Sequence, residues 1–211
     1  ELTGRSLTKI SQATYSPKSF NNKFGVPLSL FNLKKNDKFG IFEIGMDQKG
    51  EIKNLSKIIK PDIGVITNIS YAHIKNFKNI SEIALAKSEI IRNIKDNGYL
   101  ILNKDDKFYN FHSKIGLKKN LKILSFSLNN KKATINLNSI SKKKSKYKIS
   151  ININKKKLFF YFKSFFESDL KNLLAAITII SIFKDIHKLD QDIFYNHKAT
   201  DGRGDIRKVR L

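Results

Sequence analysis

The chain has 211 residues, 40% hydrophobic and 11% aromatic, which is enough for one packed domain and excludes a disordered tail. Its 41 Lys and Arg against 18 Asp and Glu give a formal charge of +23; this admits a polyanion partner, but the lysines run through nearly every segment beside Asn, Ile and Phe, as a nucleotide-biased genome would produce without one. The absence of cysteine excludes disulfides, thiolate metal sites and thiol redox chemistry. No run approaches the ~18 apolar residues of a membrane span and the N-terminus lacks a signal peptide's apolar core, so a soluble cytoplasmic protein is expected.

Residue 1 is Glu, not Met, and the sequence reads as part of something longer. From Phe39 to Phe126 short apolar runs alternate with amphipathic stretches, the pattern of βαβ units around a parallel sheet. Strands are expected in 39–45, 62–69, 98–103 and 121–127. A helix over 50–59 would turn Ile52, Leu55, Ile58 and Ile59 inward. A second over 80–94 would carry Ile83, Ala86, Lys87, Ile90, Ile91 and Ile94, starting at Asn79 and ending before Asn97-Gly98. After Asn129, lysine-rich alternating segments predict a small antiparallel sheet with one wet face, with "NNKK" and "SKKKSK" as charged hairpin tips. Asp169 to Phe183 predicts a helix burying Leu170, Leu173, Leu174, Ile177 and Ile180, and a short helix is expected near Gln191 to His197. The fold class is therefore α/β, a mostly parallel sheet flanked by helices with an antiparallel part in the last third.

Ligands bind beyond the carboxyl ends of parallel strands, which makes Glu43, Asn68 and Asn103 candidates. Glu43 before Gly45 could offer oxygens to a hard cation, or be a solvated surface carboxylate. His73 reads as a ligand or as a hydrogen-bonded structural residue. Lys87, on or beside an apolar helix face, either snorkels to solvent or sits neutralised, since a buried ammonium is costly. A neutral amine there could take up carbon dioxide as a carbamate.

"FNNKFGVPLSL" (20–30), "EIGMDQKGEI" (43–52), "VITNISYAHI" (65–74), "IALAKSEI" (83–90) and "LNKDD" (102–106) occur in the order and spacing of the Mur ligases. The chain resembles that family's central ATP-binding domain, and its pairing of "NNxxGVPL" with "EIGMxxxGEI" resembles the members that add D-alanyl-D-alanine. "NLLAAITII" (172–180) and "GRGD" (202–205) look like later motifs of the same domain. The resemblance implies a P-loop NTPase-like fold and an amide ligase of peptidoglycan synthesis. It implies ATP and Mg2+ as cofactors, UDP-N-acetylmuramoyl-tripeptide and D-alanyl-D-alanine as substrates, an acyl phosphate intermediate and a cytoplasmic monomer. It further implies that Glu43, His73 and a carbamylated Lys87 hold magnesium, that Asn172 contacts adenine and Arg203 the ribose and phosphates, and that Asn21 and Asn22 bind the muramoyl substrate. Asn21 and Asn22 also read as a polar turn before Gly25-Val26-Pro27.

Two departures stand out. Where the family has a TGxxGKT/S phosphate loop, this chain reads "TGRSLTK" (3–9); Thr3 and Gly4 look like the loop's opening, its Gly-Lys-Thr centre is missing, and most of the following helix is expected to be absent. Ser168 stands where the family usually has His. The family's N-terminal uridine-nucleotide and C-terminal domains lie outside these residues, so a truncated or internally deleted ligase is expected. The alternatives are another Mur or folylpolyglutamate-type ligase, and a non-catalytic basic protein that binds nucleotide or nucleic acid.

Overall fold

A computed structural model describes residues 1–17, 20–70 and 76–195. Among the described residues, eight strands and seven α-helices follow one another as α1 (Leu2–Thr8), β1 (Ala13–Tyr15), α2 (Gly25–Phe31), β2 (Phe39–Ile41), α3 (Glu51–Ile59), β3 (Ile63–Ile66), α4 (Ile80–Lys87), α5 (Glu89–Asn93), β4 (Tyr99–Asn103), α6 (Tyr109–Lys118), β5 (Lys122–Ser127), β6 (Ile135–Lys143), β7 (Lys146–Ile153), β8 (Lys156–Phe162) and α7 (Glu167–Ile180), with a 3-10 turn at Ile186–Lys188 after them. β1 pairs in parallel with β2, and β3 to β8 form a six-stranded sheet in sequence order. All four strands expected before residue 128 are present, and β3, β4 and β5 are parallel as their continuous apolar runs require.

The antiparallel meander of β6, β7 and β8 is also present. It is not a separate sheet, however, because Phe126 and Ser127 of β5 pair in parallel with Ile135 and Asn136 of β6. "NNKK" therefore lies in a loop between parallel strands and is not a hairpin tip. Parallel neighbours normally need a crossover of about a dozen residues; here the overlap is two pairs, so a tight loop suffices. Asp105 secures that loop, accepting Ser127 Oγ at 2.5 Å and Leu128 N at 2.7 Å. "SKKKSK" does form a tip, with Lys144 in the left-handed region.

Two cores flank the sheet. On one side Ile101, Phe126, Ile149, Ile151, Phe160 and Phe162 meet α7 through Leu170, Leu173, Leu174, Ile177 and Ile180, with Leu2 and Leu7 of α1 alongside. Each such side chain contributes about 1.5–3 kcal/mol when fully buried, which is why this helix was readable from its spacing. On the other side Leu100 and Leu102 meet Ile52, Ile83, Ala84, Ala86, Ile91 and Ile94.

Three helical details differ from expectation. Ile58 is exposed, and α3 instead buries Ile52, Leu55 and Ser56. The expected 80–94 helix divides at Ser88, which caps α4 and begins α5; Ser88 Oγ bonds Leu85 O at 2.6 Å. Residues 191–195 form turns, and the rest of the short helix expected near Gln191 to His197 lies outside the described residues.

Candidate functional site

The exits of β2 and β3 carry the polar residues, and both lead into one core: Ile44 and Met46 after Glu43, and Ile66 and Ile69 around Asn68, belong to the same cluster. The Glu43 side chain is exposed, and its Oε1 accepts Asn21 Nδ2 at 3.3 Å. Asn21 is fixed in turn by its carbonyl, which accepts Gly45 N at 2.7 Å. A Cβ on Gly45 would sit 3.0 Å from Asn21 Cγ, so a side chain there would press on the residue that holds Glu43. Asn22 is exposed, and its Oδ1 accepts the N–H groups of Phe24 and Gly25 at 3.0 and 2.9 Å. That turn starts α2.

Lys87 is half-buried at the end of α4, and its Nζ donates to Asn68 O at 2.8 Å. Burial holds its amine below the usual lysine range, with the Asp106 carboxylate opposing that shift. Asp106 itself accepts Ile69 N and Phe108 N, each at 2.8 Å. Neighbouring Asn103 ends β4, is 2% exposed, and accepts Asp105 N at 3.0 Å, while its Nδ2 has no hydrogen-bond partner. An orphaned buried donor is a place for an acceptor from a ligand or another segment. Behind it His112 on α6 contacts Ala84 O at 2.9 Å. Its imidazole is held below the ordinary histidine value by burial, against that hydrogen bond.

Of the residues singled out in the sequence, Lys87 meets Asn68 and Glu43 meets Asn21; Asp106 and His112 were not among them. The signal for Asp106 was the acidic pair directly after an apolar strand; for His112 there was none. Asn172 is exposed on α7. His73 and Arg203 lie outside the described residues, so their placement beside Glu43 and Asn172 is not described. Among the described residues no three His, Cys, Asp or Glu groups gather as a metal site. Glu43 supplies hard oxygens suited to magnesium, whereas Lys87 would do so only as a carbamate.

The sequence reads Thr3 and Gly4 as the opening of a phosphate loop. Both lie within α1, so these residues form a short helix and not an extended loop. Gly4 is buried, and a Cβ there would approach Tyr15 Cγ to 2.4 Å; this glycine permits a helix to lie on a strand.

Residues 2–180 match the Mur ligase middle domain. The UDP-N-acetylmuramoyl-tripeptide--D-alanyl-D-alanine ligase of Buchnera aphidicola subsp. Baizongia pistaciae is 35% identical over 182 residues, covering 85% of this chain and 38% of that protein. The Escherichia coli K12 ligase of the same name is 30% identical over 120 residues, covering 56% and 26%. A crystal structure of MurF from Acinetobacter baumannii superposes with a TM-score of 0.85 at 24% identity, over 96% of this chain and 44% of that one. MurF from Thermotoga maritima in complex with ADP gives 0.81 at 20% identity, over 96% and 46%. The chain spans less than half the length of these relatives.

Proposed function

Because the chain belongs to the Mur ligase middle domain family, we propose that it is the central, nucleotide-binding part of an ATP-dependent ligase that joins D-alanyl-D-alanine to UDP-N-acetylmuramoyl-tripeptide in peptidoglycan synthesis. The curated relatives that carry this name support the substrate class. The observation that carries the site is Lys87: a half-buried amine fixed at 2.8 Å on the carbonyl at the exit of β3, where an ammonium is disfavoured and a carbamate would supply oxygens.

Magnesium-bound ATP, when present, would supply the phosphoryl group that activates the tripeptide's carboxylate. Glu43 would offer a metal-ligating carboxylate, held in place by Asn21. The Lys87 amine would attack carbon dioxide, forming an N–C bond and releasing a proton, so that a cation becomes an oxygen ligand. Among the residues outside the described part, His73 would complete the metal set and Arg203 would meet the ribose and phosphates. Asn172, exposed on α7, would contact adenine. Asn21 and Asn22 line the approach proposed for the muramoyl peptide, although Asn22 already spends its carbonyl oxygen on α2. The phosphate cradle, the uridine-nucleotide domain and the C-terminal domain would come from ligase polypeptide outside these 211 residues. The working form would be cytoplasmic and monomeric.

Calorimetric titration of the purified chain with ATP and magnesium tests this. Saturable, magnesium-dependent binding is expected, weakened at least about tenfold in Glu43→Ala, as for loss of one charge-assisted contact. Equal affinity in the variant overturns the role of Glu43, and no binding by a chain shown to be folded marks these residues as a fragment that does not bind nucleotide by itself.

A further inference from the structure

The peptide unit joining Asn68 to Ile69 is gripped from both sides. Its carbonyl accepts the Lys87 amine at 2.8 Å, and its N–H donates to Asp106 Oδ2 at 2.8 Å. A donor at the oxygen and an anion at the hydrogen polarise the amide in the same sense, so each contact strengthens the other. Asp106 is itself immobilised. Its Oδ1 accepts Phe108 N at 2.8 Å, and its own N–H donates to Asn103 O at 3.2 Å, which ties the carboxylate to the end of β4 and the approach to α6. Ile69 is buried with Ile66 and Met46, so the peptide has little room to rotate.

We propose that Asp106 is a positioning residue of the candidate site: by fixing the Asn68–Ile69 peptide it aims the carbonyl that holds the Lys87 amine, without touching substrate itself. Asp105 has a different task. It binds Ser127 and Leu128 at the β5 exit, and so provides an adjacent carboxylate whose loss loosens the same turn while leaving the peptide clamp intact. The proposal rests on Lys87 belonging to the site, but its test requires neither nucleotide nor activity, so the two readings fail separately.

The test is acetylation of the intact chain by acetic anhydride across a pH series, with Lys87 modification read by peptide mass spectrometry relative to exposed Lys157. At high pH, where the amine is neutral in every variant, the limiting rate reports freedom and not charge. Asp106→Ala is expected to raise that limiting rate about tenfold, the scale of one charge-assisted hydrogen bond, together with faster amide exchange at Ile69. Asp106→Asn, which keeps one acceptor oxygen, should fall between, and Asp105→Ala should leave Lys87 at the wild-type rate. An unchanged limiting rate at Lys87 while Ile69 exchange accelerates overturns the proposal, as does equal release by Asp105→Ala. Should Asp106→Ala fail to fold, Asp106→Asn against Asp105→Asn decides between the same outcomes.

Discussion

Glu89, in the first turn of α5, accepts the backbone N–H of Gly50 at 2.8 Å and thereby caps a helix to which it does not belong. Its second oxygen takes Lys53 N at 3.0 Å. α3 begins at Glu51 after Gly50, whose φ of 91° lies in the left-handed region and whose side offers no cap. Two amides at that helix start, those of Gly50 and Lys53, are thus satisfied from α5. Glu89→Ala should cost about 1–2 kcal/mol in urea unfolding, the range for a lost cap, and Glu89→Gln should recover part of it. A loss under ~0.3 kcal/mol, within the noise of ordinary surface changes, would mean that water replaces the carboxylate.

Gly4 distinguishes a packed helix from a phosphate loop. Since an added methyl would lie 2.4 Å from Tyr15 Cγ, Gly4→Ala must push α1 off β1 and should destabilise by about 1–3 kcal/mol, the usual cost of overpacking. In an exposed helix the same change would stabilise by up to ~1 kcal/mol. Thermal unfolding gives the sign, and a stabilised variant would refute the contact.

That glycine also explains where sequence reading stopped. α7 and the four early strands were legible because their inward residues are large and apolar: Leu170, Leu173, Leu174 and Ile177 leave no other register. α1 and α6 were not. α1 buries Leu2, Gly4, Ser6 and Leu7, and α6 buries His112 and Gly116; small and polar residues on an inner face erase the hydrophobic period. At the site, Glu43 and Lys87 stood out as charges beside apolar runs. Asp106 was marked only by the acidic pair after β4, because the partner that ties it to the site is a backbone amide 37 residues away, and backbone groups carry no signature in residue types.

His112 gives the fold a pH dependence. Burial lowers its folded-state value below the unfolded one, near 6.5, so the unfolded chain binds the proton more readily. Stability at this residue is therefore fully present above the unfolded value and is lost as pH falls from 6.5 toward the depressed folded value. Urea midpoints should fall across that window in the wild type more steeply than in His112→Gln. Parallel curves would mean that the imidazole is solvated in both protonation states.

The basic outer face of β7 and β8 invites a nucleic-acid reading, but its rings are already covered. Lys146 Nζ lies 3.7 Å from the Tyr161 ring centre and Lys148 Nζ 3.9 Å from that of Phe159. A base stacking there would first have to displace an ammonium. Binding of a fluorescent single-stranded oligonucleotide should be steeply salt-dependent, as a charge of +23 dictates, and should change less than about twofold in Tyr161→Ala or Phe159→Ala. A loss of tenfold or more, the ~1–3 kcal/mol of a real stacking platform, would restore that function.

Lys87 provides the chemical test of the ligase reading. Carbamate formation needs a neutral amine, and burial enlarges the neutral fraction near pH 7 while Asp106 restrains it. The amine's contact with the Asn68 carbonyl uses one N–H, and a carbamate nitrogen keeps one to donate, so modification need not break the clamp. Adding 13C-bicarbonate to the wild-type chain should therefore produce a carbamate resonance that rises with pH and bicarbonate and is absent in Lys87→Ala. Magnesium should strengthen it if, as proposed, a metal shared with Glu43 favours the anionic form, and Glu43→Ala should then abolish that magnesium effect but not the resonance. A signal that survives in Lys87→Ala would place the carbamate on another amine and remove Lys87 from the metal site.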